Sequence, residues 1–163
     1  MKQFDAIIIG FGKGGKTLAA ELAKREQKVA VIERSDKMYG GTCINIGCIP
    51  TKTLVHLSKL TPAGSSFEEK REYYRQAIAR KEEVTSMLRK KNYHNLADTP
   101  YITVYTGTGS FEDKEVVKIT TGSEVLRIKA PQIFINTGSE TVIPPIERIK
   151  DNPSVYTLSL IHI

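Results

Sequence analysis

The sequence predicts an α/β domain in which a parallel sheet is joined by a small antiparallel meander. Three observations predict it. An apolar run, Ala6-Ile7-Ile8-Ile9, is followed by a helical pattern and then by a second apolar run over 28–33. A cluster of glycines, Gly10 to Gly15, separates the first run from the helix. Beyond Pro100 the apolar spacing changes to period two.

Residues 4–9 read as a buried parallel strand, because the run is short, rich in Ile and ends at Gly10. Residues 14–26 read as a helix with Leu18, Ala19, Leu22 and Ala23 on one face. Residues 28–33 are the second buried strand, so the unit has the length of a crossover connection, about thirty residues. Residues 42–60 carry both cysteines and read as helical. A long helix over 67–96 follows from the spacing of Phe67, Tyr74, Ala77, Ile78, Val84, Met87 and Leu88. Its other face holds Lys70, Arg71, Arg75, Arg80, Lys81, Arg89, Lys90 and Lys91. That face reads as solvated, with a subunit or ligand contact as the alternative. Residues 101–106, 115–120 and 124–129 read as antiparallel strands, with Thr121-Gly122-Ser123 as a hairpin turn. Residues 132–136 form another apolar strand, ending at Thr137-Gly138, and the tail from Pro144 is irregular.

A chain of 163 residues fits one domain with a real core. The net charge is +6, yet no arginine-rich arm accompanies it, and aromatics are only 7% with no Trp. Nucleic acid is therefore not an expected partner. The opening apolar run is too short for a signal peptide, and no stretch is long enough to span a membrane. The expected location is the cytoplasm, with no membrane partner. Two cysteines five apart, in a reducing compartment, suggest redox chemistry or metal rather than a structural staple.

Gly10-Phe11-Gly12-Lys13-Gly14-Gly15 matches G-x-G-x-x-G, with an additional glycine at 14. The pattern follows a strand, opens a helix and has an acid, Glu33, at the end of the next strand. Gly10 permits a tight turn, Gly12 lets backbone approach a pyrophosphate, and Gly15 allows close helix–strand packing. The helix N-terminus offers free N–H groups and a positive dipole to phosphates. Glu33 is placed to accept from ribose hydroxyls that carry no 2′-phosphate. The bland alternative is a glycine turn followed by a strand-end acid.

The stretch from Gly40 to Lys52, GGTCINIGCIPTK, is the most informative. In a regular helix, residues five apart have Cα atoms about 8.7 Å apart, whereas a disulfide needs about 4.4–6.8 Å. A Cys43–Cys48 bridge therefore requires a distorted backbone, and Gly47 and Pro50 supply residues that disturb helices. A helix N-terminus near Cys43 would favour thiolate. Two inert thiols or a metal pair are the alternatives. The three histidines, His56, His94 and His162, form no zinc-type spacing with them, so no metal ligands are assigned.

GGTCINIGCIPTK resembles the redox signature of the class I pyridine nucleotide–disulfide oxidoreductases, a family that includes glutathione reductase, dihydrolipoamide dehydrogenase and mercuric reductase. The resemblance covers essentially the whole chain, because IFINTGSETVIPP also resembles the family's second FAD motif, at Thr137 and Gly138. MYGGTCINIGCIPTKTLVH and KNYHNLAD look most like the branch of bacterial reactive-chlorine-resistance flavoproteins, regarded as NAD(P)H-dependent copper(II) reductases.

The resemblance implies a Rossmann-like FAD/NAD(P)-binding fold. It implies FAD contacts at Gly12, Gly14, Gly15, Glu33, Gly41 and Thr42. It makes Cys43 the outer, substrate-facing sulfur and Cys48 the sulfur against the flavin, with Lys52 beside the flavin. Thr108 or Gly109, in GTGSF, matches a backbone contact to the adenine end. Electrons would run from NAD(P)H through FAD and the disulfide to an acceptor such as Cu(II). A disulfide, dihydrolipoamide (accepting electrons in its oxidised form) or Hg(II) are the other substrates within the family, and a non-catalytic FAD- or metal-binding module is the reading outside it. Residues 1–163 correspond to the N-terminal portion of the family's FAD-binding domain, without its nicotinamide-binding and dimerisation domains. The whole protein is expected to be a homodimer, and the 163-residue chain alone to be inactive with NAD(P)H.

Overall fold

The computed structural model describes residues 1–158. In chain order the elements are β1 (Lys2–Gln3), β2 (Ala6–Ile9), α1 (Lys13–Lys24), β3 (Val29–Glu33), α2 (Thr42–Asn45), α3 (Cys48–Ser58), α4 (Phe67–Ala97), β4 (Ile102–Thr106), β5 (Thr108–Asp113), β6 (Val116–Thr121), β7 (Glu124–Lys129) and β8 (Gln132–Ile135). His162 lies outside the described residues.

The central sheet has the order β4-β3-β2-β8, every pair parallel. Successive residues of β2 point to opposite faces. Ala6 and Ile8 face a helical layer that includes Ala19 and Ala23 of α1 and Leu96 of α4. Ile7 and Ile9 face Val117, Ile119 and Ile128 of the second sheet. Both faces are covered, which is why β2 and β3 read as unbroken apolar runs. Ile7 and Ile8 are wholly buried, and each contributes about 1.5–3 kcal/mol by leaving water.

The second sheet has the order β1-β7-β6-β5, antiparallel except for β1 beside β7. The strand predicted over 4–9 is thus shorter at its start and is preceded by a separate short strand. Lys2 and Gln3 pair with β7, and the central strand begins at Ala6. Asp5 fixes the change of sheet by accepting from the Lys28 amide at 2.7 Å.

Two expectations need correction. Residues 101–106 were expected to be antiparallel, yet β4 runs parallel beside β3 at the edge of the central sheet. An edge strand is covered unevenly, so β4 carries the polar alternation expected of a half-exposed antiparallel strand. The meander is instead β5-β6-β7, and the β6–β7 turn closes at Gly122 as predicted. The basic face of α4 is not uniformly solvated either. Lys81 is 4% exposed and paired with Glu82, and Arg89 is only partly exposed. At its N-terminus α4 is closed by a reciprocal Ser66–Glu69 capping box.

Candidate functional site

β2, β3 and β8 end side by side, at the point where the chain leaves β2 toward β3 on one side and returns as β8 on the other. Open α/β sheets bind ligands at such switch points. Gly10 follows β2 with φ +109°, and a Cβ there would stand 2.1 Å from the Asn136 carbonyl oxygen. Only glycine gives both the left-handed turn and that approach. A Cβ at Gly15 would meet the Gly10 oxygen at 2.6 Å, so α1 sits directly on the loop. α1 opens at Gly12 without a side-chain cap and with no acid in its first turn. Its first N–H groups and dipole are therefore left for an anion.

A cleft of about 360 Å³ opens at these strand ends, within the usual size of a small-molecule site. It brings together Gly10, Glu33, Thr108, Gly109, Thr137 and Gly138, all singled out from the sequence. Glu33 closes β3 and is 9% exposed. Its carboxylate accepts from the Phe11 amide at 3.0 Å and from the Ser35 amide at 3.2 Å. The acid is thereby held against the glycine loop, with further lone pairs free to accept from a ligand. Arg34 also lines the cleft and was not foreseen. The uncapped helix, the glycine backbone and the anchored acid fit the adenosine and pyrophosphate parts of FAD.

Cys43, Cys48, Thr42 and Lys52 do not line that cleft. They sit on α2 and α3, which meet the glycine loop at Gly41. Gly41 has φ +76°, and a Cβ there would stand 2.7 Å from the Gly12 Cα. The predicted break between the cysteines is present. Helix geometry is lost at Ile46 and Gly47. The Thr42 carbonyl accepts from the Ile46 amide at 2.9 Å and from the Gly47 amide at 2.8 Å. The second bond spans five residues, a wider turn than the α-helical one.

Both cysteines are free and exposed, and each thiol is near enough for Cys48 to bear on the titration of Cys43. Hydrogen bonding with the Cys48 side chain, then slight burial and the Cys48 charge, push the Cys43 thiol up, while Lys52 and Lys16 pull it down. Cys43 lies in the first turn of α2, as expected, but α2 is a single short turn, and Cys48 opens the longer α3. Removing Cys48 takes away the first-named cause and leaves both ammonium groups. Cys48→Ala is accordingly expected to speed Cys43 alkylation several-fold at neutral pH, since thiolate is the reactive form. Stopped iodoacetamide labelling across pH checks this, and an unchanged or slower rate contradicts it.

Three polar residues escaped the sequence reading. Asn136 donates from Nδ2 to the Gly10 carbonyl at 3.1 Å and lies against Gly12, Gly14 and Gly15. Lys16 donates to Oδ1 of the buried Asn92, whose own amide group donates to the Leu88 carbonyl at 2.7 Å. Burial and the nearby Lys13 lower the Lys16 pKa, and Cys43 opposes them. The only signals for these residues were an Asn just before Thr137-Gly138 and polar residues on an otherwise basic helix.

Among the described residues no group of three or more His, Cys, Asp and Glu could hold a metal ion, and no helix is long and apolar enough to cross a membrane. Residues 4–159 match the pyridine nucleotide-disulphide oxidoreductase family. The chain is 50% identical over 156 residues to the probable pyridine nucleotide-disulfide oxidoreductase RclA of Escherichia coli (strain K12), covering 96% of this chain and 33% of that protein. It is 29% identical over 167 residues to a mercuric reductase of Lysinibacillus sphaericus, covering 98% of this chain and 30% of that one. A solved Cu(II) complex of the HOCl-induced flavoprotein disulfide reductase RclA from Escherichia coli superposes with a TM-score of 0.86 at 48% identity, covering 99% of this chain and 34% of that one. The chain thus spans about a third of the length of these relatives. With its strand-end cleft, glycine loop and adjacent cysteine pair, the chain belongs to the pyridine nucleotide-disulphide oxidoreductase family, whose members are flavoproteins using FAD with NAD(P)H.

Proposed function

We propose that residues 1–163 are the N-terminal part of the FAD-binding domain of a reductase that moves electrons from NAD(P)H through FAD and a Cys43–Cys48 disulfide to Cu(II). The observation that carries this reading is the pair of exposed cysteines on either side of a helix break, the first of them two residues beyond a glycine packed on the glycine loop. FAD, when bound, supplies the two-electron carrier between nicotinamide and dithiol. The chain's residues do the rest. The backbone of Gly12, Gly14 and Gly15, together with Gly41 and Thr42, would hold the pyrophosphate. Glu33 would accept from the ribose, while Thr108, Gly109, Thr137 and Gly138, which line one cleft with Gly10, would border the adenine end. Cys48 serves as the inner sulfur and Cys43 as the outer one that meets the acceptor. Lys52, exposed on α3 and felt electrostatically by Cys43, stabilises the thiolate form.

The Cu(II) acceptor is supported by the 48% identity to the Cu(II) complex named above. Hg(II) is the second reading, supported by the mercuric reductase relative, with a small disulfide and lipoamide, the oxidised form of dihydrolipoamide, behind it. The whole protein is proposed as a cytoplasmic homodimer, in keeping with the family resemblance and with a dithiol used in turnover. Screening those four acceptors with the whole protein tests the assignment. NAD(P)H oxidation driven best by Cu(II) supports it, and preference for any of the others overturns it.

Glu33→Ala is expected to weaken FAD binding about tenfold or more, the loss of one charge-assisted hydrogen bond of about 1.5–3 kcal/mol. Flavin fluorescence titration reads this directly. Unchanged affinity in a folded variant would remove Glu33 from the site.

A further inference from the structure

The α4 basic face contains one arginine that behaves unlike its neighbours. Arg75 and Arg80 pair with glutamates on their own helix. Arg89 instead reaches off the helix, and its Nε donates to the Asn45 Oδ1 at 2.9 Å. Asn45 is the last residue of α2 and lies between the two cysteines in sequence. Its Nδ2 donates to the Tyr39 carbonyl at 3.1 Å and to the Gly41 carbonyl at 2.9 Å. A single side chain thus ties the backbone on the near side of Cys43 to a helix more than forty residues further along the chain. One turn beyond Arg89, Asn92 makes a second link by accepting from Lys16 of α1. Arg89, Asn45 and Asn92 are all at least partly buried.

We propose that Arg89 is a positioning residue for the cysteine pair, holding the Cys43 turn through Asn45 so that the two thiols stay within bridging reach. The inference rests on the reading of Cys43 and Cys48 as a redox couple. Bridging releases two protons and two electrons from the two thiols to a disulfide such as oxidised dithiothreitol, which is reduced to its dithiol. If the turn is already held in the dithiol state, closing the bridge costs less conformational entropy, and the disulfide is favoured. Loosening the turn shifts the exchange equilibrium toward the dithiol. Neither Arg89 nor Asn45 needs to touch a sulfur for this to hold.

The test is the exchange equilibrium of the full chain with dithiothreitol buffers, read by mass spectrometry after alkylation of free thiols. Arg89→Met keeps the length and apolar stem of the side chain and removes the donor. It is expected to shift the equilibrium about tenfold toward the dithiol, about 30 mV for a two-electron couple. Asn45→Ala breaks the same link from the other end and should shift it in the same direction. The double variant should shift little further than either single one, because both remove one chain of hydrogen bonds. Arg80→Met, on the same helix but paired within it, should leave the equilibrium unchanged. Circular dichroism identifies any variant that has lost its fold, and the remaining link variant then carries the test. Wild-type equilibrium in a folded Arg89→Met or Asn45→Ala variant overturns the proposal, as do additive shifts in the double variant. A wild-type chain that forms no Cys43–Cys48 disulfide in any buffer overturns the redox reading itself, and this inference falls with it.

Discussion

Gly10→Ala is expected to lower the thermal midpoint by about 10 °C or more. Two separate penalties meet at this position. A side chain at φ +109° is strained by about 1–3 kcal/mol. The new Cβ would also lie 2.1 Å from the Asn136 carbonyl oxygen, a backbone atom that can retreat only by separating β8 from the glycine loop. A combined loss of about 4 kcal/mol or more corresponds to that shift in a domain of this size. Gly64→Ala is the matched control, because Gly64 has φ +86° and nothing within 4 Å of the added atom. It incurs the strain without the clash, so its midpoint should fall by only a few degrees. Equal losses at the two positions, measured by calorimetry, would refute the role given to the close approach at Gly10.

Cys43→Ser is expected to reduce acceptor turnover in the whole protein by on the order of a thousandfold or more, as removal of a reacting group does elsewhere. Cys48→Ser should do the same, because the two sulfurs act as a unit. Neither cysteine lines the Glu33 cleft, so FAD affinity should stay near the wild-type value in both variants. That split separates a lost redox pair from a damaged fold. Turnover that survives either substitution with Cu(II) as acceptor would mean that the thiols are bystanders.

Much of this arrangement was legible in the residues because local chemistry and tertiary need coincide. β2 and β3 are buried on both faces, so their apolar runs stand out. The glycine loop announces itself because backbone must touch backbone at Gly10, Gly15 and Gly41. The break between Cys43 and Cys48 is visible in Gly47. The direction of β4 was not legible, since an edge strand of a parallel sheet shows the same half-exposed pattern as a strand of a meander. Arg89 was misjudged for a related reason. Helical spacing places it with seven other basic residues, and nothing local tells that its Nε meets Asn45 across forty-four positions of sequence. Asn136 and Asn92 likewise gain their roles only from partners brought by the fold.

The most direct measurement counts thiols in the whole FAD-loaded protein. After mild oxidation, denaturation and alkylation should label neither Cys43 nor Cys48, and digestion should yield one peptide pair joined through them. Adding NAD(P)H without acceptor should then expose both thiols, and adding Cu(II) should close them again. Two thiols that remain labelled after oxidation, or a bridge that NAD(P)H leaves intact while Cu(II) is still reduced, would contradict an electron path through Cys43 and Cys48.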